Sequence, residues 1–480
     1  MKIVCITRWV SCLLLTLCVL SCGKKEYVNL IPKDAALVMT VNLENLIKEA
    51  GGPEEVRKLA SRTDLLLLKS FASAPEETGV DLGLPAYLFA SLNRDEPTLL
   101  MGLKDTDALE QWLGKLQKEG ACEKIQRRGD FSWTVFTGQG YCVFTEDMLM
   151  WVYAPLTPPE TVLDRLAQLM KQEKEESFVG TKSYERLQEM KAGMSFYLSL
   201  STLPNASEVS SMLGIPFTLS VEDLRMLGSV TLGKEKLSLT AHYYSENKEL
   251  EDFLEKQSLD LHALSKQYFE YIPEDVMACV AMKLDGDGYA KIGKWPGVGD
   301  LISNLARFSG INAERFLDSF SGDFTVALKS MEEEGIPQLI CYAGTTGNGT
   351  RELLKEGLGR SSGFFGPAVR TIAPDQYAVH LGDMATMRLG VEKENFYLLT
   401  GAASPFVPVS DPLSRSMQSG LQGKLISYIY INTEGMEGSA EMAREYIGDK
   451  VSMLSKVRTV ELAVRPDCRL DLNIYFRAFR

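Results

Sequence analysis

The chain repeats itself, and this duplication limits the folds that it can adopt more than any other sequence feature. The segment Tyr27-Val-Asn-Leu-Ile-Pro-Lys-Asp34 recurs 241 residues later as Tyr268-Phe-Glu-Tyr-Ile-Pro-Glu-Asp275. Similar matches continue towards the C-terminus, up to a closing pair of strand-like segments in each copy. We therefore predict two homologous tandem halves, residues 27–255 and 264–480, joined by a linker over 256–263.

Each half carries patterns that are typical of both strands and helices. Apolar residues alternate from Leu37 to Leu43, and the equivalent stretch Ala278–Leu284 has the same phase, which predicts a half-buried strand in each half. Short polar turns join these strands to further ones, which favours antiparallel pairing. Amphipathic stretches such as Asp107–Lys118 and Pro159–Glu175 predict helices. The expected fold class is α+β, with a mainly antiparallel sheet in each half and helices packed on one face.

The first 22 residues have the organisation of an export signal. Lys2 and Arg8 give a positive start, and the apolar run Trp9–Leu20 is too short to span a membrane. The sequence Val-Leu-Ser-Cys that ends at Cys22 resembles the lipobox of bacterial lipoproteins. This resemblance implies a signal peptide over 1–21, a diacylglycerol on the Cys22 thiol and a further acyl chain such as palmitate. The alternative is an ordinary cleaved signal followed by an incidental cysteine.

The folded part of the chain starts very soon after Cys22. Residues 22–26 form the predicted lipidated tether, and an extended segment of this length reaches only ~15 Å. If Cys22 is lipidated, we expect the first half to lie close to the membrane surface.

The chain as a whole is similar to a family of Bacteroidota-type lipoproteins of unknown function. The similarity rests on the lipobox, the short tether, the Ile31-Pro-Lys-Asp34 turn before a strand, and the segment Gly79–Leu82. This family has no known activity, cofactor or site residues. Some lipoproteins of such bacteria reach the cell surface with an acid-rich stretch just after the cysteine, whereas Gly23–Glu26 contains one acid. The resemblance therefore implies the periplasmic side of the outer membrane, with surface exposure as the alternative.

Composition excludes some classes of function. The net charge of −13 over 480 residues gives no electrostatic basis for binding nucleic acid. Three histidines leave little room for histidine-based catalysis, and we predict neither a metal site nor a cofactor. After Cys22 an odd number of cysteines remains, so at least one thiol is unpaired, and the sequence leaves their disulfide state open. These cysteines are Cys122, Cys142, Cys279, Cys341 and Cys468.

Three short motifs suggest chemistry but lack the context that it needs. Gly359–Gly363 matches the GxSxG pattern, yet a helical pattern precedes it where a nucleophile elbow requires a strand. Gly344–Thr350 is glycine-rich but has no lysine before its threonine, so a turn before a helix is favoured over a phosphate site. Asp285–Gly288 resembles the start of a calcium loop without its later ligands, which favours a turn.

Binding is the function that the sequence favours, and we predict no catalytic residues. The halves share residues that form the fold, while their polar loops differ, so no catalytic set is repeated. Trp295 lies in a loop and is the best candidate for an aromatic that contacts a ligand, although the favoured interpretation is a loop anchor packed back on the domain. We expect a binding or scaffold lipoprotein whose partner is an envelope protein or glycan. The alternative is an envelope glycan hydrolase with paired carboxylates in a cleft.

Overall fold

The chain forms two compact units, Met1–Leu198 and Ser199–Arg480. The structure is a computed structural model, in which no helix of the described residues is long and apolar enough to cross a membrane. It describes residues 27–49, 75–91, 96–136, 140–202, 215, 219, 221–233, 235–260, 263–293, 311–331, 337–360, 368–380, 386–401, 404–416, 422–434 and 457–477.

The first unit is built on an antiparallel sheet. Its strands are β1 (Ala35–Val41), β2 (Ala86–Ser91), β3 (Thr98–Gly102), β4 (Gln126–Arg128), β5 (Phe131–Phe136), β6 (Gly140–Phe144), β7 (Met148–Val152) and β8 (Met194–Ser199). Backbone hydrogen bonds place them in the spatial order β4-β5-β6-β7-β3-β2-β1-β8. Each neighbouring pair is antiparallel, as the short polar turns predict.

Helices accompany this sheet. They are α1 (Leu43–Glu49), α2 (Thr106–Lys118), α3 (Pro159–Leu169) and α4 (Lys182–Glu189). Helix α2 begins after Asp105, whose carboxylate accepts a hydrogen bond from the Ala108 backbone N–H at 2.9 Å and so caps the helix. The buried residues of α2 recur at helical spacing and belong to the core of the unit. They are Leu109, Trp112, Leu113 and Leu116.

Helix α3 is shorter than the sequence predicts. The predicted helix Pro159–Glu175 ends at Leu169, and a 3-10 turn over Lys174–Glu176 follows. Gln172 lies between them, and its side-chain amide donates to the carbonyls of Asn29 and Ile31 at 2.7 and 3.1 Å. These bonds to a distant segment fix Gln172 beyond the end of the helix.

The second unit contains a longer antiparallel sheet. Its strands are β9 (Leu224–Leu232), β10 (Lys236–Ser245), β11 (Val276–Asp285), β12 (Phe320–Met331), β13 (Pro337–Thr345), β14 (Ala368–Ala373), β15 (Gln376–His380), β16 (Thr386–Glu392), β17 (Asn395–Thr400), β18 (Ser427–Asn432), β19 (Val457–Arg465) and β20 (Arg469–Phe476). The spatial order is β14-β15-β16-β17-β13-β12-β11-β18-β19-β20-β10-β9.

Both faces of this second sheet are covered. Its helices are α5 (Lys248–Asp260), α6 (Gly288–Ile292), α7 (Ala313–Leu317), α8 (Gly349–Arg360) and α9 (Leu413–Ser416). Met282 and Leu284 of β11 pack in one apolar cluster with residues of α6, α7 and α8. Cys279 and Ala281 pack in another, beside the 3-10 turn Gln267–Tyr271. The prediction of a half-buried strand is therefore wrong for β11, because alternate side chains point to opposite faces and both faces have a cover.

Strands β1–β8 and strands β11–β18 follow the same spatial order. The order β4-β5-β6-β7-β3-β2-β1-β8 in the first half corresponds to β14-β15-β16-β17-β13-β12-β11-β18 in the second. This shared order confirms the predicted α+β class with two similar antiparallel halves. The limits of the repeats, 27–255 and 264–480, stay a prediction. The compact units follow a different division, because hairpin β9–β10 pairs with β20 of the second unit.

Candidate binding cleft

A cleft of about 1040 Å³ opens in the first unit. Four segments line it: the N-terminal 3-10 turn, the β4–β5 turn, the β6–β7 turn and the end of α3. The lining residues are Tyr27, Leu30, Arg128, Gly129, Asp130, Phe131, Thr145, Glu146, Asp147, Met148, Ala167, Met170 and Lys171. Its volume is at the upper end of the range for small-molecule sites.

The N-terminal 3-10 turn is bonded firmly to the sheet. The Tyr27 hydroxyl donates a hydrogen bond to the Pro85 carbonyl at 2.7 Å, and its ring meets that of Tyr87 edge to face at 6.1 Å between centroids. Burial raises the pKa of Tyr87 far above its ordinary value, so this phenol stays neutral. These contacts therefore fix the first wall of the cleft, which begins at Tyr27.

The β4–β5 turn is a two-residue connection that favours glycine. Arg128 pairs with Phe131 across the hairpin. Gly129 between them has a φ of 60°, in the left-handed region that residues other than glycine rarely adopt. The Arg128 guanidinium bonds Glu160 at 3.2 Å and Asp164 at 2.5 Å, both on α3. These bonds join the hairpin to the helix, and the two carboxylates also pair with the positive charge of Arg128.

The β6–β7 turn is held by its own side chains. The Thr145 hydroxyl donates to the Asp147 carboxylate at 2.7 Å, and the Thr145 backbone N–H donates to the Met148 carbonyl at 3.0 Å. Thr106 at the start of α2 donates its hydroxyl to the Glu146 carbonyl at 3.2 Å. The Asp147 carboxylate therefore has a structural role, whereas the exposed side chain of Glu146 extends from a fixed backbone.

A small cavity in the same unit surrounds an ion pair. Glu96 and Arg165 are 13% and 17% exposed, and they pair directly. Thr157 donates its hydroxyl to Oε1 of Glu96 at 2.8 Å, whereas Oε2 contacts Arg165 without a hydrogen bond of good geometry. The cavity is only about 20 Å³, room for a water molecule, so this site is structural.

The second half has the same backbone framework at the corresponding place. Gly102 of β3 pairs with Met148 of β7, and Gly344 of β13 pairs with Asn395 of β17, so Met148 and Asn395 occupy equivalent positions. The repeat makes Tyr27 the equivalent of Tyr268. In the second half these two positions are joined, because the Tyr268 hydroxyl donates to Oδ1 of Asn395 at 2.6 Å.

Aromatic rings fill the space beside that hydrogen bond. Tyr268 stacks on Tyr342 with 5.5 Å between ring centroids. The Phe406 ring lies 5.7, 5.1 and 5.9 Å from the rings of Tyr271, Tyr342 and Tyr397 respectively. Burial raises the pKa of Tyr342 to about 12, against a lowering effect of the backbone at Phe406. We call these five residues the aromatic cluster.

The two residues that the sequence singled out for sites lie outside the described residues. These are Cys22, the predicted lipidation site, and Trp295, the predicted ligand contact. Ser361 of the GxSxG string lies outside them as well, while Gly359 is in the last turn of α8, so a helix precedes that string as the sequence indicates.

The remaining motifs have structural partners. Asp287 accepts a hydrogen bond from the Asp285 backbone N–H at 3.1 Å and pairs with Lys291 at 2.8 Å. Thr350 is fully buried, and its hydroxyl lies 2.8 Å from that of Ser319. In the described part of the chain, no group of three His, Cys, Asp or Glu side chains could hold a metal ion. Neither motif forms a ligand site by these contacts.

The described cysteines are all free thiols. Cys122, Cys142, Cys279 and Cys341 are buried, and Cys468 is half-buried. Burial raises the pKa of the Cys341 thiol to about 12, so it packs as a small apolar group.

The sequence does not predict the cleft. Strand β4 is only three polar residues long, too short for an alternating pattern, so no local signal of alternation marks the hairpin that forms one wall. The one available signal was the Gly129-Asp130 dipeptide, which is typical of a two-residue hairpin turn.

Comparison with known proteins places the chain in a family. A family model described as a domain of unknown function, DUF4836, matches residues 27–404. The chain belongs to the DUF4836 family. This confirms the expected membership of a family of unknown function, and the match begins at the first tyrosine that lines the cleft. No curated protein matches the sequence.

Two solved structures resemble part of the chain weakly. The structure titled crystal form I of TP0453 aligns with a TM-score of 0.31 and 9% identity, over 50% of this chain and 88% of that chain. Crystal form III of the same protein gives a TM-score of 0.29 and 10% identity, over 49% and 87%. Likeness at this level supports no inference about function.

Proposed function

We propose that this member of the DUF4836 family is a lipid-anchored cell-envelope protein that binds a ligand in its first-half cleft and catalyses no reaction. One observation carries the binding proposal: a cleft of about 1040 Å³ whose walls are fixed by hydrogen bonds and ion pairs. The lipobox-like sequence at Cys22 supports an anchor on the periplasmic side of the outer membrane.

The cleft proposal can be tested by filling it. Ala167 lines the cleft and is half-buried on α3, whereas the neighbouring Gln168 is exposed and does not line it. Lipidated protein would be purified from membranes, and its bound small molecules would be extracted and identified by mass spectrometry. A ligand should be present in the wild type and in Gln168→Trp and should be lost in Ala167→Trp. A ligand retained by Ala167→Trp, or none in any of the three, would overturn the proposal.

The anchor is tested separately by metabolic labelling with a palmitate analogue. Cys22→Ala should lose the label, because the thiol that accepts the diacylglycerol is removed. Cys18→Ala is the matched control and should keep the label, since the lipobox-like sequence ends at Cys22. Undiminished labelling of Cys22→Ala would contradict the lipid anchor.

An envelope glycan hydrolase is the second candidate, because Asp130, Glu146 and Asp147 line the cleft. Asp147 is engaged by Thr145, which leaves Asp130 and Glu146 as the possible acid–base pair. Both are exposed, whereas a general acid in a glycosidase is normally created by burial, and this favours binding. Glycan turnover that disappears in Glu146→Gln but persists in Glu123→Gln would favour the hydrolase instead.

A further inference from the structure

The floor of the cleft is apolar, which selects for a ligand with a hydrocarbon part. Leu30, Phe131 and Met148 are buried beneath it, and Met170 and Tyr27 are half-buried at its sides. Methionine side chains are flexible and polarisable and adapt to irregular apolar groups. A purely polar ligand would leave the exposed apolar parts of Met170 and Tyr27 in contact with water.

The rim of the cleft carries charges of both signs that are available to a ligand. Lys171 supplies a positive charge, and Asp130 and Glu146 supply negative ones. None of these three side chains pairs with another residue within the ranges that the structure describes, whereas Arg128 is engaged by α3. The complementary ligand therefore carries an anionic group and a cationic group together.

The position of the cleft along the chain indicates where such a ligand is found. Tyr27 lines the cleft five residues after Cys22, which corresponds to ~15 Å of extended chain. If Cys22 carries the lipid, the rim lies within reach of the membrane surface. An amphipathic ligand with a hydrocarbon end is most abundant at that surface.

We infer, on the basis of the proposed function above, that the ligand is a zwitterionic phospholipid whose headgroup carries a phosphate and a primary ammonium. The phosphate lies at Lys171, and the ammonium donates hydrogen bonds to Asp130 and Glu146. An acyl chain covers the exposed parts of Met170 and Tyr27 at the sides of the cleft. A primary ammonium fits better than a quaternary one, because only the former can donate hydrogen bonds to carboxylates.

The experiment uses the full lipidated protein reconstituted in vesicles that contain a trace of phosphatidylethanolamine with a photoactivatable acyl chain. After illumination, cross-linked peptides are located by mass spectrometry. We expect adducts on the peptides that contain Met148 or Met170. Ala167→Trp should reduce them at least tenfold, and Gln168→Trp should leave them unchanged.

The headgroup assignment is tested by charge reversal and by competing lipids. Lys171→Glu should lower the adduct yield about threefold to fivefold, as expected for an exposed charge contact, while Lys174→Glu on the next turn should not. Unlabelled phosphatidylethanolamine should compete at least threefold better than phosphatidylcholine or phosphatidylglycerol. Equal competition by all three lipids, or adducts unaffected by Ala167→Trp, would overturn the inference.

Failure of this inference can be told from failure of the proposed function. If muropeptides or peptides protect the half-buried Met170 from a methionine oxidant and lipids do not, the phospholipid is wrong and cleft binding stands. If no lipid, muropeptide or peptide protects Met170 in the wild type, both proposals fall.

Discussion

The first and second halves share a backbone framework but use the space beside their N-terminal tyrosine in opposite ways. In the first half Tyr27 and Met148 line an open cleft, and in the second half Tyr268 and Asn395 are hydrogen bonded to each other. Phe406 and its tyrosine neighbours fill the adjoining space. The difference teaches that side chains, rather than strand order, decide which copy of this fold keeps an open cleft.

The aromatic cluster stabilises the second half, whereas the first half has an open cleft in its place. Each buried aromatic side chain removes about 150–250 Å² of surface from water, and paired rings add directional contacts. The first half has an open cleft at the corresponding place. Under the proposed function, duplication would let one copy support the structure while the other binds.

The largest expected difference between the halves concerns their tyrosines. Tyr342 is 2% exposed, so Tyr342→Ala should lower the local free energy of unfolding by about 3–5 kcal/mol. Tyr27 is half-buried at the cleft, and Tyr27→Ala should cost only about 1–2 kcal/mol. Native-state hydrogen exchange of β13 and β3 measures each loss. Similar losses of unfolding free energy in Tyr342→Ala and Tyr27→Ala would contradict the proposed difference between the two halves.

Removing Phe406 should turn the filled space into a small binding cavity. Phe406→Gly deletes a ring from the aromatic cluster at a position whose φ of 53° glycine adopts easily, so the net cost should be about 2 kcal/mol. Toluene should then raise the melting temperature of the variant, because apolar cavities bind small aromatic molecules. The exposed neighbour Val407 gives the control Val407→Gly, in which toluene should have no effect. Rescue in both variants would show that the effect is unrelated to the cavity.

The pH dependence of the free energy of unfolding should distinguish the C-terminal hairpins of the two halves, β9–β10 and β19–β20. Burial raises the pKa of Asp471, but hydrogen bonds from Arg469 and Arg465 outweigh burial and hold this pKa below its usual value. The stabilisation is therefore present above the unfolded pKa, roughly pH 4, and is lost as pH falls through the lower folded value. Asp471→Asn should cost about 2 kcal/mol at pH 6 and less at pH 3.

Thermal melting from pH 6 to pH 3 measures that dependence. The first half has Ser238 at the position that matches Asp471 in the repeat, so Ser238→Ala is the control and should melt with the pH profile of the wild type. A difference in melting temperature between wild type and Asp471→Asn that stays constant from pH 6 to pH 3 would contradict a lowered pKa of Asp471 as its cause.

The smallest expected effect is the loss of one hydrogen bond in the filled half. Tyr268→Phe removes the donor to Asn395, which should cost about 1 kcal/mol of unfolding free energy. A double-mutant cycle with Asn395→Ala should give a coupling energy of similar size. The pair Tyr27→Phe and Met148→Ala should show no such coupling, since Tyr27 bonds the Pro85 carbonyl instead. Coupling in both pairs would mean that the first cleft is also closed.

The sequence predicts the framework of the fold better than its sites. Alternation and turn residues locate strands such as β1 and β11, and helical spacing locates α2, because local patterns reflect burial directly. The course of the chain after α3 could not be predicted, since Gln172 there is held by hydrogen bonds to a segment 141–143 residues away. Tertiary contacts of this kind leave no local signal.

The candidate site could not be predicted for a related reason. Tyr27 and Tyr268 are the same residue in matching segments, yet one lines a cleft and the other belongs to the aromatic cluster. What separates them is Phe406, which the repeat does not match and which reaches the cluster from a distant loop. Comparing the sequences of the two halves shows that they share a fold. It does not show that the space beside the tyrosine is open in the first half and filled in the second.

Pairing of β10 with β20 has a consequence for how the protein is made. Ser238 and Asn473 are hydrogen bonded across these strands but lie 235 residues apart. At about 5–20 residues per second, the ribosome needs roughly 10–50 seconds to supply the second strand after the first. If the chain folds as it emerges, β10 lacks its β20 partner throughout that interval, and an unpaired strand edge invites aggregation. Nascent chains stalled before β19 should accordingly be cut by protease within the β9–β10 hairpin, whereas completed chains should resist.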